Sequence, residues 1–156
     1  MNSETFASED YWSSRYRNKD IPWDTGGVTT PLREYIDSLK IRDLDILIPG
    51  AGSAWEAEYA WRKGFQSVKI LDISNEAIES VSERIPGFPA KNLLHENFFT
   101  HEGTYDLILE QTFFCALPPE WRERYVQKMY SLLKPGGRLA GVLFNDPLNE
   151  DHPPFG

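Results

Sequence analysis

Short apolar runs alternate along this chain with longer stretches in which apolar residues recur every three or four positions. The short runs predict strands at residues 44–48, 67–73, 92–96, 105–110 and 138–144. The longer pattern predicts helices between them, and strands that alternate with helices are typical of a parallel sheet. The pattern therefore predicts an α/β fold with a mainly parallel sheet and helices on both faces.

Residues that start or stop helices stand at the expected boundaries. Pro31 occupies the first turn of a helix predicted over 30–39, where the missing N–H of proline costs nothing. Ser74 is a favourable N-cap for a helix that reaches about residue 85. Further helices are predicted over 54–63 and from Pro118 to about residue 133. These boundaries leave connections of the length that α/β folds use.

The junction after the first predicted strand is the most informative part of the chain. Gly50 and Gly52 permit a sharp turn and let a ligand approach bare backbone. Asp72 ends the next strand, where a carboxylate can accept hydrogen bonds from both hydroxyls of a ribose. A dinucleotide-binding turn has a third glycine where this chain has Trp55, and no Lys-Ser/Thr pair of a phosphate-binding loop follows. The junction favours S-adenosylmethionine (SAM) over NAD or FAD, and an ordinary strand-to-helix turn is the alternative.

Composition and charge restrict the partners. The 156 residues are 40% hydrophobic and 26% charged, as expected for one globular domain. A formal net charge of −8 disfavours a nucleic-acid partner, because such binding depends on Lys and Arg. We expect a monomer that acts on a small-molecule acceptor.

Location and metal binding follow from what the sequence lacks. Cys115 is the single cysteine and cannot form an internal disulfide. No signal-peptide pattern and no apolar run of about 18 residues is present, so we expect a cytoplasmic protein without a membrane partner. The three histidines lack metal-ligand spacing, and no metal site is predicted.

Three segments are similar to a known family. They are Trp12 and Tyr16 with Ile21-Pro22-Trp23-Asp24, Gly26 and Thr30-Pro31-Leu32, then Ile48-Pro49-Gly50-Ala51-Gly52, and finally Thr112-Phe113-Phe114-Cys115-Ala116-Leu117-Pro118 with Arg122. By the order of its elements and by Leu132-Leu133-Lys134-Pro135-Gly136-Gly137 before the fifth strand, the chain resembles the class I SAM-dependent methyltransferases. Within that class it resembles the thiopurine S-methyltransferase superfamily, in particular its thiol and halide methyltransferase branch.

The resemblance implies a Rossmann-like fold in which this chain supplies about five of the usual seven strands. It implies one domain over 1–156, with an N-terminal lid and helix at 1–40, a core at 41–144 and a C-terminal loop at 145–156. The chain stops near the position where the family has a Gly-Pro-Pro-aromatic motif. We therefore expect a member shortened at its C-terminus, with one sheet edge left uncovered.

The resemblance also implies transfer of a methyl group from SAM to a small soft nucleophile, namely a thiol, thiopurine, thiocyanate or halide, with S-adenosylhomocysteine (SAH) as product. A non-catalytic SAM- or adenosine-binding module and an adenosine-binding reductase are the alternatives. No residue is assigned as a catalytic base. The implied cofactor-binding residues are Trp12, Tyr16 and Trp23 as an aromatic lid over the sulfonium, Gly50 and Gly52 at the methionine end, Asp72 at the ribose, Asn97 and Phe98 at the adenine, and Glu110, Gln111 and Thr112 after the fourth strand.

Overall fold

One five-stranded sheet organises the computed structural model, which describes residues 2–156. All neighbouring strands run parallel, in the order β3-β2-β1-β4-β5. The α/β prediction with a parallel sheet is confirmed. The strands are β1 Ile46–Pro49, β2 Val68–Asp72, β3 Leu93–His95, β4 Tyr105–Gln111 and β5 Leu133–Val142.

Six α-helices accompany the sheet in the described part of the chain. The Ser74 hydroxyl accepts a hydrogen bond from the Ala77 N–H, as its predicted N-cap role requires. Within residues 2–156, no helix combines the length and apolar character needed to cross a bilayer. The helices are α1 Ser3–Phe6, α2 Glu9–Arg17, α3 Thr30–Ser38, α4 Trp55–Arg62, α5 Asn75–Arg84 and α6 Arg122–Leu132.

The helices cover both faces of the sheet. Alternate residues of a strand point to opposite faces, so Leu107 and Leu109 of β4 pack with α3, α4 and α5, whereas Ile108 packs with α6. On the α6 side, Met129 and Leu132 supply the matching apolar positions. Both cores are almost closed to solvent, which fixes the register of β1 and β4 and the positions of the loops that follow them.

Strand β5 begins earlier than predicted. Its pairing with β4 jumps from Leu133 opposite Tyr105 to Arg138 opposite Leu107, so residues 134–137 form a bulge inside the strand. A Cβ on Gly137 would lie 3.0 Å from the Tyr105 carbonyl oxygen, a close backbone approach that only glycine permits. The Lys-Pro-Gly-Gly sequence, predicted as a turn between helix and strand, is therefore accommodated within the sheet.

The outer edge of β5 has no neighbouring strand in the described structure. Large apolar side chains at its end are accessible to solvent, including Leu143 with 59% and Phe144 with 57% of their surface exposed. This agrees with the expected uncovered sheet edge. Since β5 adjoins β4, the exposed side chains lie next to the loops at the carboxyl end of the sheet.

Candidate cofactor site

A cavity of about 660 Å³ opens at the carboxyl end of the sheet. Ligands of open α/β sheets bind at this end, and the volume falls in the range of small-molecule sites. Nine of the eleven predicted cofactor-binding residues line it, and Gly52 and Glu110 do not. The nine are Trp12, Tyr16, Trp23, Gly50, Asp72, Asn97, Phe98, Gln111 and Thr112.

Asp72 ends β2 inside this cavity and is only 6% exposed. One carboxyl oxygen accepts the Gly52 N–H and the other accepts the Ser74 N–H, both at 2.9 Å. Burial raises the pKa of this carboxyl, while the two N–H donors act against that rise. A carboxylate accepts about four hydrogen bonds, so roughly two acceptor positions remain. That number fits the two hydroxyls of a ribose.

The two glycines of the β1–α4 turn have positive φ angles of 56° and 53°, as the sharp turn requires. The space in front of them is filled by the protein itself. A Cβ on Gly50 would lie 2.2 Å from a ring carbon of Phe113, and one on Gly52 would lie 2.7 Å from the Tyr16 hydroxyl. The close approach that both glycines permit in this structure is that of aromatic side chains, and Gly50 also lines the cavity, where approach of a ligand stays a prediction.

An aromatic lid covers the cavity, and we define it as Trp12, Tyr16 and Trp23. The ring centre of Trp23 lies 5.5 Å from that of Trp12 and 5.9 Å from that of Tyr16, each in an edge-to-face arrangement. The Trp12 indole donates to the Phe6 carbonyl at 2.8 Å. Burial and, secondly, the nearby Asp72 raise the pKa of Tyr16, so its hydroxyl stays protonated. Aromatic faces of this kind attract a cation such as a sulfonium.

The lid is attached to the sheet through α2. The Ser13 hydroxyl donates to the Ser74 hydroxyl at 3.0 Å, directly after the strand that ends in Asp72. Arg17 forms an ion pair with Glu76 of α5. Hydrogen bonds from nearby side chains, followed by the positive charge of Arg17, lower the pKa of Glu76 to about 2, so the carboxylate is charged at neutral pH. These contacts place Trp12 and Tyr16 over the same end of β2.

Asp24 joins the lid to the β1–α4 turn, a role that the sequence did not reveal. Its carboxylate accepts the Trp55 indole N–H at 2.7 Å and the Ser53 hydroxyl. Burial acts to raise the pKa of Asp24, but these two hydrogen bonds together with the Gly26 N–H and the Arg84 charge lower the pKa overall. The guanidinium of Arg84 stacks 3.9 Å from the centre of the Trp55 ring. Trp55 thus stands where a dinucleotide-binding turn has its third glycine. Its indole N–H donates to Asp24 and in this way helps to hold the lid.

Asn97 and Phe98 form one wall of the cavity after β3. The Asn97 side chain accepts the Phe99 N–H at 2.9 Å, as in an Asx turn, and Phe98 is only 4% exposed. Phe98 also contacts Phe113 edge to face, with ring centres 5.1 Å apart. The amide nitrogen of Asn97 remains available for the predicted contact with an adenine.

Gln111 and Thr112 continue the wall after β4. The Thr29 hydroxyl donates to the Gln111 side-chain carbonyl at 2.7 Å, which connects the start of α3 to the cavity. Thr112 has a φ angle of 60°, a conformation that strains a residue with a side chain, and its hydroxyl donates to the Gln111 carbonyl at 2.6 Å. Strain of this kind is typical of loops whose shape matters for binding.

Glu110 lies beneath this loop and not in the cavity wall. Its carboxyl accepts the Phe114 N–H at 2.7 Å and the Tyr125 hydroxyl at 3.3 Å. The second carboxyl oxygen is buried without a hydrogen-bond partner in residues 2–156. Glu110 therefore supports the loop that places Phe113 against Gly50, and its position differs from the direct cofactor contact that the resemblance implied.

The burial of Glu110 makes stability depend on pH. Burial raises the pKa of Glu110 to about 7, above its unfolded value near 4.3. The stability it contributes is complete below the unfolded pKa and is lost as the pH rises through about 7. We expect Glu110→Gln, measured by urea unfolding from about pH 5 to 8, to gain stability relative to wild type as the pH rises. The exposed Glu102→Gln is the control, and a difference that stays constant with pH would contradict this role.

The C-terminal segment also contributes to the cavity. Pro153 and Pro154 line it, and the Phe155 N–H donates to the Cys115 carbonyl at 2.7 Å. Phe155 is buried against Phe6, with ring centres 5.7 Å apart. Burial raises the pKa of the Cys115 thiol to about 11, so the thiol stays protonated at neutral pH. The two chain ends thus meet beside the aromatic lid.

The fold and the cavity together define a class, that of the Rossmann-like SAM-dependent methyltransferases. The profile of the family described as thiopurine S-methyltransferase matches residues 7–156, nearly the whole chain. The chain belongs to this family.

Individual relatives agree with that assignment. The chain is 33% identical to "Probable thiol methyltransferase 2" of Arabidopsis thaliana and 30% identical to "Thiocyanate methyltransferase 1" of Brassica oleracea. Each match covers 92% of this chain and 66% of the relative, so the chain spans about two thirds of their length.

A solved structure shows the same fold at lower identity. It is the Burkholderia thailandensis 1,6-didemethyltoxoflavin-N1-methyltransferase with bound 1,6-didemethyltoxoflavin and SAH, which aligns with a TM-score of 0.71 at 17% identity. The alignment covers 90% of this chain and 64% of that one.

Proposed function

We propose that this chain binds SAM and transfers its methyl group to a small soft nucleophile: a thiol, thiopurine, thiocyanate or halide. The observation that carries the proposal is the position of Asp72, which is buried at the end of β2 and has free acceptor positions directed to a cavity under an aromatic lid. Family membership and the names of the two relatives support it.

In this proposal, different residues of the chain bind different parts of the cofactor. Asp72 accepts hydrogen bonds from the ribose, and Asn97 with Phe98 contacts the adenine. The aromatic lid, held by Asp24, keeps water from the methyl group and faces the positive sulfur. When bound, SAM supplies a methyl group on a positively charged sulfur. The protein then contributes mainly proximity and alignment between that methyl group and the acceptor.

The wall of the cavity favours a weakly hydrated acceptor. Most of the residues that line the cavity are apolar, Phe99, Phe113 and Leu117 among them. A soft anion or an ionised thiol loses little hydration on entering such a surface, whereas a strongly hydrated nucleophile would lose much more. This chemistry supports the soft nucleophiles over oxygen acceptors.

A non-catalytic SAM-binding module is the second candidate, and one observation favours it. Val142, Leu143 and Phe144 line the cavity at the end of β5, the strand whose outer edge is uncovered in the described structure. An acceptor bound there remains open to water on that side, which weakens alignment. Cofactor binding without turnover is the result expected of such a module. Cytoplasmic location and a monomeric state stay predictions.

Calorimetry with SAM, SAH and NAD tests the proposal, followed by methylation assays with thiophenol, iodide and thiocyanate. We expect SAM and SAH to bind with micromolar dissociation constants and NAD not to bind, because Trp55 stands where a pyrophosphate turn requires glycine. Methylated product from any of the three acceptors supports the enzyme. Binding without product supports the module, and binding of NAD alone would overturn both.

A further inference from the structure

Of the residues among 2–156 that line the cavity, Arg15 alone carries a positive charge. Asp72 is the other charged residue of the wall, and the chain has a formal net charge of −8. An anion that enters the cavity therefore meets a negative protein with a single local cation. This makes Arg15 the group that determines whether an anion can stay there.

The Arg15 guanidinium is held in place by contacts that leave part of it free. Its Nε donates to the Asp20 carbonyl at 3.1 Å and lies 2.8 Å from the Asp20 carboxylate, and its Nη1 donates to the Tyr11 hydroxyl at 3.0 Å. The group lies 5.0 Å from the centre of the Trp23 ring. These contacts use Nε and Nη1, so Nη2 is left to bind a ligand. Only 22% of the side chain is exposed.

Arg15 stands on the side of α2 that faces away from the adenosine end. Ser13 and Arg17 contact Ser74 and Glu76, next to Asp72. Arg15 instead contacts Tyr11, whose ring packs against Phe6 at 5.2 Å. Phe6 in turn packs against Phe155, which is hydrogen-bonded to the loop after β4. Arg15 therefore lies on the side of α2 opposite the α5 contacts next to Asp72, where the proposed function places the ribose.

We propose that Arg15 binds the anionic methyl acceptor, which is an iodide, a thiocyanate or the ionised form of a thiol. The inference rests on the function proposed above and names the residue that selects the charge of the acceptor. A guanidinium is more weakly hydrated than an ammonium and suits soft, weakly hydrated anions. A cation beside a thiol lowers the pKa of that thiol, so its proton leaves to solvent without a protein base.

Anion binding measured without turnover tests this assignment. The probes are sodium iodide and sodium thiocyanate, added at constant ionic strength to the protein alone and to its SAH complex, with saturable change of tryptophan fluorescence as the signal. The variants are Arg15→Gln, Arg15→Lys and, as control, Arg33→Gln, which removes an exposed positive charge of α3 outside the cavity. We expect Arg15→Gln to weaken anion binding about tenfold or more, Arg15→Lys to weaken it less, and Arg33→Gln to match wild type.

The outcomes separate this inference from the proposed function. Loss of anion binding in Arg15→Gln, with unchanged SAH affinity by calorimetry, supports it. The inference is overturned if wild type shows no saturable anion binding or if Arg15→Gln binds anions like wild type. A selective loss of SAH affinity in Arg15→Gln also overturns it, because Arg15 would then hold the cofactor carboxylate. Arg15-dependent anion binding by a chain that does not bind SAH would support the inference and contradict the proposed function.

Turnover adds a pH profile that a purely structural role would not change. If Arg15 lowers the pKa of a bound thiol, the rise of kcat with pH for thiophenol shifts to higher pH in Arg15→Gln. The corresponding profile for thiocyanate, which needs no ionisation, keeps its shape. Equal shifts for both acceptors would contradict an action on the thiol.

Discussion

Asp72→Ala is expected to weaken SAM binding about 10- to 100-fold, because removing the charged acceptor of the two ribose hydroxyls costs about 1 to 3 kcal/mol in total. The wild-type carboxylate already accepts the Gly52 and Ser74 N–H groups and is turned into the cavity, so no neighbouring side chain can replace it. Calorimetric titration with SAM and SAH measures the effect. Asp72→Asn, which keeps one acceptor oxygen, is expected to lose less affinity.

Two controls separate binding from folding in this experiment. Asp43→Ala changes an exposed aspartate in the loop before β1 and should leave SAM affinity unchanged. Urea unfolding of Asp72→Ala reports the cost of leaving two buried N–H groups without acceptors. A variant that loses stability but binds SAM like wild type would show that Asp72 only supports the turn, and the ribose role would fail.

Most of the fold could be predicted from the sequence because its signals are local. The Ser74 N-cap, Pro31 in the first turn of α3 and the apolar runs of β1 and β4 each act within a few residues. The predicted start of β5 was wrong because the course of this strand depends on long-range contacts. Lys134 forms ion pairs with Asp45 and Asp106, and Gly137 packs against the backbone of β4. Nothing within residues 134–137 alone distinguishes a bulge from a turn.

The site was predictable where residue type and position on a strand define a role, and unpredictable where partners lie far apart. Asp72 ends a strand, and its place in the cavity follows from the parallel sheet. Asp24 and Trp55 form a pair only because the lid folds over the β1–α4 turn. Arg15 carries no motif, and its importance comes from being the one positively charged residue among the described residues that line the cavity. Its position could have indicated this role, since Arg15 is adjacent in sequence to Tyr16, which was predicted to bind the cofactor.

Gly50→Ala is expected to destabilise the protein by about 2 to 5 kcal/mol, through two separate costs. The φ angle of 56° is unfavourable for alanine by about 1 kcal/mol or more. The new Cβ would also lie 2.2 Å from the Phe113 ring, and overpacking of this kind costs about 1 to 3 kcal/mol. Since Phe113 lines the cavity, its displacement should weaken SAM binding as well. Urea unfolding and calorimetry measure the two effects.

Two other glycines allow these costs to be measured one at a time. Gly26 has a φ angle of 71° and open space around it, so Gly26→Ala reports the backbone cost alone. Gly27 has open space without a positive φ angle, and Gly27→Ala should be nearly neutral. Combining Gly50→Ala with Phe113→Ala removes the collision, and the double variant should lose less stability than the two single changes added together. If Gly50→Ala costs no more than Gly26→Ala, Phe113 moves aside freely and does not constrain the cavity.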